Sequence, residues 1–137
     1  MKKILGIMAV LAFCFMSCSI DDSKYNVFDD DNAIANNRDK FFVRESVIRN
    51  FANNYSQQVS SLTGLKTIKT IDGDQKFDVN LTISSGRFKL VLVDENNVII
   101  ICDGNTNRTF EFPELNSKKC KLKMVGDKAA FDLKVTF

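Results

Sequence analysis

Histidine and tryptophan are absent from this chain of 137 residues, and there is a single proline. Without histidine the chain cannot form a Ser-His or Cys-His nucleophilic pair or a histidine-based metal site. Most familiar hydrolase mechanisms are excluded by this absence, so we expect that the protein is not an enzyme and needs no cofactor. The 12 phenylalanines, in contrast, supply enough apolar volume for the core of one ordinary domain.

The N-terminus has the three parts of an export signal. It begins with positive charge at Lys2 and Lys3, continues with an apolar stretch from Ile4 to Met16, and ends with the small Ser17 before Cys18. A helix that spans a membrane needs about 20 apolar residues, and this stretch is shorter. The segment therefore predicts an exported chain whose first residues are removed.

The tetrapeptide Phe15-Met16-Ser17-Cys18 resembles the lipobox of bacterial lipoproteins, in which a small residue precedes a cysteine that is acylated and becomes the new N-terminus. The resemblance implies that residues 1–17 are a cleaved signal peptide and that Cys18 is the lipidation site. The lipid would hold the protein on a membrane of the bacterial cell envelope, with exposure at the cell surface as one arrangement. The alternative is a plain secretory signal with an incidental cysteine.

Residues 18–37 are polar and acidic, with aspartates in two runs, 21–22 and 29–31. A short acidic run behind the cysteine resembles the surface-export signal of lipoproteins in the Bacteroidota. The alternative is a solvated tether whose charge and polarity keep it from packing. We therefore divide the mature chain into a lipidated N-terminus with an acidic tether (18–37) and a folded domain (38–137).

The charge balance argues against nucleic acid as a partner. Loss of Lys2 and Lys3 with the signal peptide reduces the 19 basic residues to 17, which equals the number of acidic residues. Nucleic-acid binding depends on an excess of basic groups that displace counterions from phosphates. One local stripe of lysines alternates with apolar residues, and we interpret it as the solvated face of a strand. It comprises Lys118, Lys119, Lys121 and Lys123.

From Leu65 onward, apolar and polar residues alternate with a period of two, as in strands that have one face in a core and the other in water. Residues rich in Gly, Asn, Asp and Ser separate the segments and are typical of turns. This spacing predicts a mainly β fold, an antiparallel β-sandwich of about seven strands. The predicted strands are 65–71, 77–83, 87–93, 98–102, 109–112, 119–125 and 131–137.

The segment 41–62 is compatible with a helix or with strands. Five of its apolar residues recur at helical spacing, which favours a helix over about Arg38 to Gln58 in front of the sandwich. They are Ile48, Phe51, Tyr55, Val59 and Leu62. Asn53-Asn54 and Ser60-Ser61 suit a helix interior poorly, so the strand interpretation stays open.

One predicted strand differs from the others because it does not alternate. Val98 to Ile101 is apolar throughout. Such a run is typical of a strand in the centre of a sheet, where both faces are covered.

Several short motifs resemble a group of small secreted bacterial β-sandwich domains. They are Ser85-Gly86-Arg87-Phe88 at a hairpin, the Val93-Asp94 turn, the closing strand of alternating lysines, Gly126 and Phe131-x-Leu133. The resemblance covers roughly residues 62–137 and implies the same sandwich fold. It implies no functional residue.

Cys102 and Cys120 are the cysteines left once Cys14 is removed and Cys18 is lipidated. In an exported protein such a pair suggests a disulfide. Closing this loop of about 19 residues would stabilise the fold by about 3 kcal/mol in the chain-entropy model. The equal alternative is two buried free thiols, each acting as a small hydrophobe. Cys120 alternates in phase with Leu122 and Met124, so we expect it to face the core.

A second cluster echoes the oxygen-ligand spacing of a calcium loop. It consists of Asp103, Asn105 and Asn107, with Glu111 and Glu114 further along. Arg108 stands where the sharp turn of such a loop requires Gly, and the flanks read as strands. A turn rich in Asn and Asp explains the same residues without metal, and we prefer it.

Three functions remain, in the following order. The first is a lipid-anchored binding module for an unidentified protein or glycan, in which loops at the ends of the sandwich carry recognition. The second is a structural or assembly lipoprotein without a ligand pocket. The third is an enzyme based on paired carboxylates. Tyr25, Phe28 and Phe42 are aromatic residues that serve as ligand contacts or, as we favour, dock onto the sandwich.

Overall fold

A computed structural model describes residues 21–116 and 118–137. The predicted signal peptide and Cys18 lie outside these residues. The described chain contains a short helix, α1 (Asp31–Asn36), two 3₁₀ turns (Ser23–Tyr25 and Pro113–Leu115) and six strands. The strands are β1 (Lys40–Phe51), β2 (Asn54–Asp72), β3 (Phe77–Asp94), β4 (Asn97–Cys102), β5 (Thr106–Phe110) and β6 (Lys119–Thr136). The prediction of a mainly β, antiparallel fold is confirmed.

The six strands form one sheet in the order β1-β2-β6-β3, with β4 and β5 sharing the far edge of β3. Tight hairpins join β1 to β2 and β3 to β4, and Ala52 and Glu95 take positive φ angles there. Two-residue hairpin turns require positive φ angles if they are to match the twist of the strands. β1 and β4 do not pair with each other, so the sheet stays open and does not close into a barrel.

The strand count differs from the prediction of about seven because two pairs of predicted strands are single long strands, while β1 adds a strand where a helix was favoured. Segments 77–83 and 87–93 are both parts of β3, and segments 119–125 and 131–137 are parts of β6. The predicted hairpin at Ser85–Phe88 is therefore wrong: the chain bends there and continues. Small residues that permit unusual φ angles serve a bulge as readily as a turn, so sequence alone does not separate the two.

All the long strands bend where they cross one line of the sheet, here called the fold line. Register shifts mark it in β2 at 59–64 and in β3 at 83–87, and positive φ angles mark it at Glu45, Gly86 and Lys128. The edge formed by β4 and β5 is interrupted at the same level, where the Asn105 side-chain carbonyl accepts a hydrogen bond from the Ile83 N–H at 2.8 Å. A bulge in each strand bends the sheet and re-aims its side chains.

The fold line divides the sheet into two layers that pack face to face. Layer A contains β4, residues 62–72 of β2, residues 87–94 of β3 and residues 119–126 of β6. Layer B contains β5 and the remaining residues of β2, β3 and β6. One core cluster takes residues from both layers, such as Leu92 and Leu122 from A and Leu81 and Leu133 from B. The two halves of one bent sheet therefore form the two layers of the sandwich.

The N-terminal segment covers the outer face of layer A. Ile34 of α1 is fully buried in a second apolar cluster with Leu65, Val91 and Val125. The expectation of a solvated tether is wrong for residues 21–37, because this face of the sheet is apolar and needs a cover.

Lys123 also lies under this cover. Its ammonium group is buried and donates to the Ile34 carbonyl at 2.8 Å. The interpretation of the lysine stripe as a solvated face is therefore wrong at Lys123, since the carbonyl near the end of α1 provides a partner inside the protein.

The helix expected over about Arg38 to Gln58 is wrong, because β1 and β2 occupy this range. The apolar residues that suggested one helical face lie on two paired strands, and they differ in burial. Tyr55 is buried, whereas Phe51 is 80% exposed and Ile48 is 47% exposed. The hairpin at Ala52 separates them, and pairing with β6 stabilises β2 in place of a helix.

The expectation that Val98–Ile101 is a central strand is also wrong. β4 is an edge strand, and Ile100 is 53% exposed. The strand with both faces covered is the layer A part of β3, where residues 88–94 are all buried. Lys89 interrupts that run in the sequence, and it tolerates burial because it lies over the Phe28 ring at 4.6 Å. In residues 21–116 and 118–137, no helix has the length and apolar character needed to cross a membrane.

Gly86 is where the fold line is most sensitive to substitution. It has a φ of 72°, and a Cβ there would collide with the backbone carbonyl of Lys128 in the neighbouring strand. We expect Gly86→Ala to lower the free energy of unfolding by more than about 2 kcal/mol, since the backbone penalty alone is about 1–2 kcal/mol. Urea unfolding measures the change.

Gly104→Ala is the matched control. No atom lies within 4 Å of the Cβ position at Gly104, so this variant should stay within about 0.5 kcal/mol of the natural chain. Equal stability of both variants would contradict the proposed role of Gly86.

Candidate functional site

An open cleft of about 350 Å³ lies where the N-terminal segment crosses β1 and β2 on layer A. The first 3₁₀ turn, the link between α1 and β1, and one residue of β2 form its walls. The lining residues are Lys24, Tyr25, Val27, Asn37, Arg38, Asp39, Lys40 and Leu65. We call it the Tyr25 cleft.

A buried carboxylate fixes the wall that carries Tyr25. Asp22 is 8% exposed and accepts a hydrogen bond from Thr63 Oγ1 at 2.8 Å. The same hydroxyl oxygen accepts from the Lys128 N–H at 3.1 Å, next to the fold line. The Asp22 carbonyl in turn accepts from the Tyr25 N–H and closes the 3₁₀ turn. The Tyr25 ring is thus positioned by the bend of the sheet itself.

Two stacked aromatic rings form the floor beside the cleft. Tyr25 stacks on Phe42 of β1 with ring centroids 6.3 Å apart and an angle of 21° between the planes. Both rings are only half-buried. Lys24 Nζ lies 5.1 Å and Lys40 Nζ 5.5 Å from the centre of the Tyr25 ring, and the Arg44 guanidinium lies 5.6 Å from that of Phe42. Each is within the range of a cation–π contact.

Four cations lie in this region, and Lys24 is among the groups that, after the Ser23 hydrogen bonds, lower the pKa of Asp21. Lys24, Arg38, Lys40 and Arg44 take part in none of the salt bridges among the described residues. Asp39, the one acid that lines the cleft, accepts from both the Thr67 N–H and the Thr67 hydroxyl. Like charges around one ring repel each other, and an anionic group placed between them would relieve that repulsion. The cleft is therefore suited to bind an anion.

The aspartates of the same segment are used within the fold. Asp29 pairs with Arg87 at 3.0 Å, and the Arg87 guanidinium lowers the pKa of this carboxyl. Asp31 pairs with Lys89 at 3.9 Å, and Asp30 caps α1 by accepting from the Ala33 N–H. Two aspartates of the acidic segment are therefore paired with cations of the sheet, and a third caps α1.

A second polar cluster lies on the inner side of the sheet. Lys66 Nζ donates to Tyr55 Oη at 3.2 Å, Tyr55 donates to Gln57 Oε1 at 2.6 Å, and Gln57 donates to Ser46 Oγ at 3.0 Å. Burial raises the pKa of Tyr55 to about 12 and lowers the pKa of Lys66. The cluster satisfies its own donors and acceptors, so we assign it a structural role.

The three aromatic residues singled out in the sequence have different positions. Phe28 docks under Arg87 and Lys89, whose cationic groups lie 4.3 and 4.6 Å from the ring centre. Tyr25 and Phe42 border the cleft instead. Sequence reasoning did not identify Lys24, Arg38 and Lys40 as a group, because they come together only when the N-terminal segment lies against β1.

Cys102 and Cys120 are free thiols in the structure, and both are buried in the core cluster between the layers. The expectation that Cys120 faces the core is confirmed. Burial raises the pKa of both thiols. A raised pKa leaves less thiolate at neutral pH and makes both side chains poor nucleophiles.

The residues of the calcium alternative are dispersed. Asp103 and Asn105 lie in the link between β4 and β5, Asn107 lies within β5, and Glu114 lies in the second 3₁₀ turn. The Asn105 side chain is bound to the backbone of β3. Among the described residues, no group of three or more acidic or cysteine side chains could hold a metal ion.

The sequence matches no known protein-family model and no curated protein. Among solved structures, the chain is similar to the hydroxypropylphosphonic acid epoxidase from S. wedmorenis, at 13% identity and a TM-score of 0.32. The match covers 70% of this chain and 59% of that one, so the chain spans less than two thirds of the epoxidase's length. At this TM-score the similarity carries no functional argument.

The state of the two thiols can be tested directly. In the mature chain with Cys18→Ser, we expect Ellman's reagent to detect two thiols after unfolding without reductant, and to react at least about tenfold more slowly with the folded chain at pH 8. The native rate should rise only above the usual pH range for a thiol, because both pKa values are raised.

The variants Cys102→Ala and Cys120→Ala serve as controls for this count, since each should leave one thiol. No reaction in the unfolded Cys18→Ser chain would instead support the disulfide.

Proposed function

We propose that the protein is a bacterial envelope lipoprotein, anchored through lipid on Cys18, whose domain binds a negatively charged ligand at the Tyr25 cleft. The lipobox resemblance of residues 15–18 supports the anchor. The observation that carries the binding function is a set of cations that form no salt bridge among the described residues and lie around two half-buried stacked rings. A purely structural lipoprotein would not require such a cleft.

A role in assembly through a protein partner is the second candidate. Among the described residues, β1 pairs on one side only, and it carries three exposed apolar side chains, Val47, Ile48 and Phe51. Exposed edge strands with apolar residues are suited to pairing with another chain.

The enzymatic alternative receives less support. Among the described carboxyl groups, Asp21 and Asp29 have a shifted pKa. The hydrogen bond with Ser23 lowers the pKa of Asp21, and the hydrogen bond with Arg87 lowers that of Asp29. A general acid needs the opposite shift.

The anchor is tested by Cys18→Ser in the native host. After a high-salt wash we expect the natural protein in the membrane fraction and the variant in the soluble fraction, because the acyl chains supply membrane affinity that salt does not remove. Metabolic labelling with a palmitate analogue should mark the natural chain alone. A variant that remains in the membrane fraction after a high-salt wash would contradict the lipid anchor.

Anion binding is tested on the unlipidated mature chain with dextran sulfate, and with neutral dextran as the reference polymer. We expect Lys24→Gln/Lys40→Gln to weaken dextran sulfate binding at least about tenfold, because it removes the two ammonium groups beside Tyr25. Isothermal titration at low salt measures the affinity.

The matched control is Arg49→Gln/Lys134→Gln. These two cations flank Ser56 on the outer face of layer B and form no salt bridge among the described residues, so the double variant makes the same change in net charge away from the cleft. Equal losses in both double variants would mean that binding follows net charge, and the cleft would not be the site.

A further inference from the structure

The position of the Tyr25 cleft relative to the anchor narrows the choice of ligand. Lys24 follows Cys18 by six residues, and an extended chain spans at most about 3.6 Å per residue. The cleft therefore lies within about 20 Å of the lipidated cysteine. A tether this short keeps the cleft at a high effective concentration next to the membrane surface, so even a weak affinity would be sufficient for occupancy.

We propose that the Tyr25 cleft binds the headgroup phosphates of anionic lipids in the membrane that holds the anchor. The proposal rests on the proposed function, since it takes Cys18 as the lipidation site. It also gives the cleft a second role, which is to orient the domain so that the outer face of layer A lies on the membrane.

The charges near the anchor favour this orientation. Two aspartates of the segment are paired with cations of the sheet, Asp29 with Arg87 and Asp31 with Lys89, and Asp22 is buried against Thr63. Asp21 accepts from the Ser23 N–H, and Lys128 and Lys24 add to the lowering of its pKa. The cations on the same side, in contrast, have no salt bridge among the described residues and are exposed. An anionic surface attracts lysine and arginine within about a Debye length, roughly 8 Å at physiological salt.

The aromatic floor suits the same surface. The Tyr25 and Phe42 rings are half-buried, and Tyr25 combines an apolar ring with a polar hydroxyl. Tyrosine is enriched at the headgroup level of membranes for this reason. In this orientation layer B would remain accessible to other molecules, because it packs on the opposite face of layer A.

The test uses the mature chain with Cys18→Ser, so that no lipid contributes, and sedimentation with sucrose-loaded vesicles. We expect binding to vesicles of equal parts phosphatidylglycerol and phosphatidylcholine, little binding to pure phosphatidylcholine, and weaker binding as salt rises. Lys24→Gln/Lys40→Gln should lower the partition coefficient about 25-fold, or about fivefold for each lysine. Arg49→Gln/Lys134→Gln should stay within about twofold of the parent chain.

The other outcomes each overturn the proposal. If the cleft binds dextran sulfate but the chain does not bind vesicles, the cleft is an anion site whose ligand is not the membrane. Displacement from vesicles by inorganic phosphate, beyond the effect of chloride at equal ionic strength, would assign the cleft to soluble phosphate. If both double variants lose vesicle affinity equally, vesicle binding depends on net charge and not on the cleft. Because the anchor is tested separately in cells, its failure is distinguishable from all of these.

Discussion

The fold line is the constraint on which the rest of the structure depends. In β3, the side chains that face the core have odd residue numbers before the fold line, such as Leu81, and even numbers after it, such as Leu90. In β6 the numbers change from even, such as Met124, to odd, such as Phe131. Without an odd number of residues inserted at the bend, one half of each strand would turn its apolar side chains outward. Gly86 permits this insertion because it lacks a Cβ at the closest approach to Lys128. One sheet can thus form both layers of a sandwich.

Bending the sheet also leaves an apolar outer face on layer A, which the N-terminal segment covers. Residues 88–94 of β3 have apolar side chains on both faces, and only one face can reach the core between the layers. α1 and Phe28 cover the other face, and the aspartates around them pair with Arg87 and Lys89. The Tyr25 cleft arises at the margin of this cover, where the segment passes over β1. Its cations have no salt bridge among the described residues.

Sequence patterns predicted the class of structure better than its connections. Alternation located every strand after Leu65 to within a few residues, since it reflects a local requirement of a half-buried strand. It did not distinguish a bend at Ser84–Gly86 from a hairpin, because the same residue types serve both. Helical spacing in 41–62 was misleading, since Phe51 and Tyr55 belong to different strands. The candidate site was less predictable: Tyr25 and Phe42 were recognised as aromatic residues without a clear place, whereas their cationic neighbours were not recognised.

By itself, then, the sequence determined the strand segments after Leu65, the core-facing side of Cys120, the equal numbers of acidic and basic residues in 18–137 and the absence of histidine chemistry. These properties follow from composition or from the order of neighbouring residues. The tertiary structure decided which segments are one strand, that Val98–Ile101 lies at an edge, that the acidic segment packs, and that Lys24 and Lys40 share one ring. Each of these depends on contacts between residues far apart in the chain, and such contacts exist only once the sheet has bent.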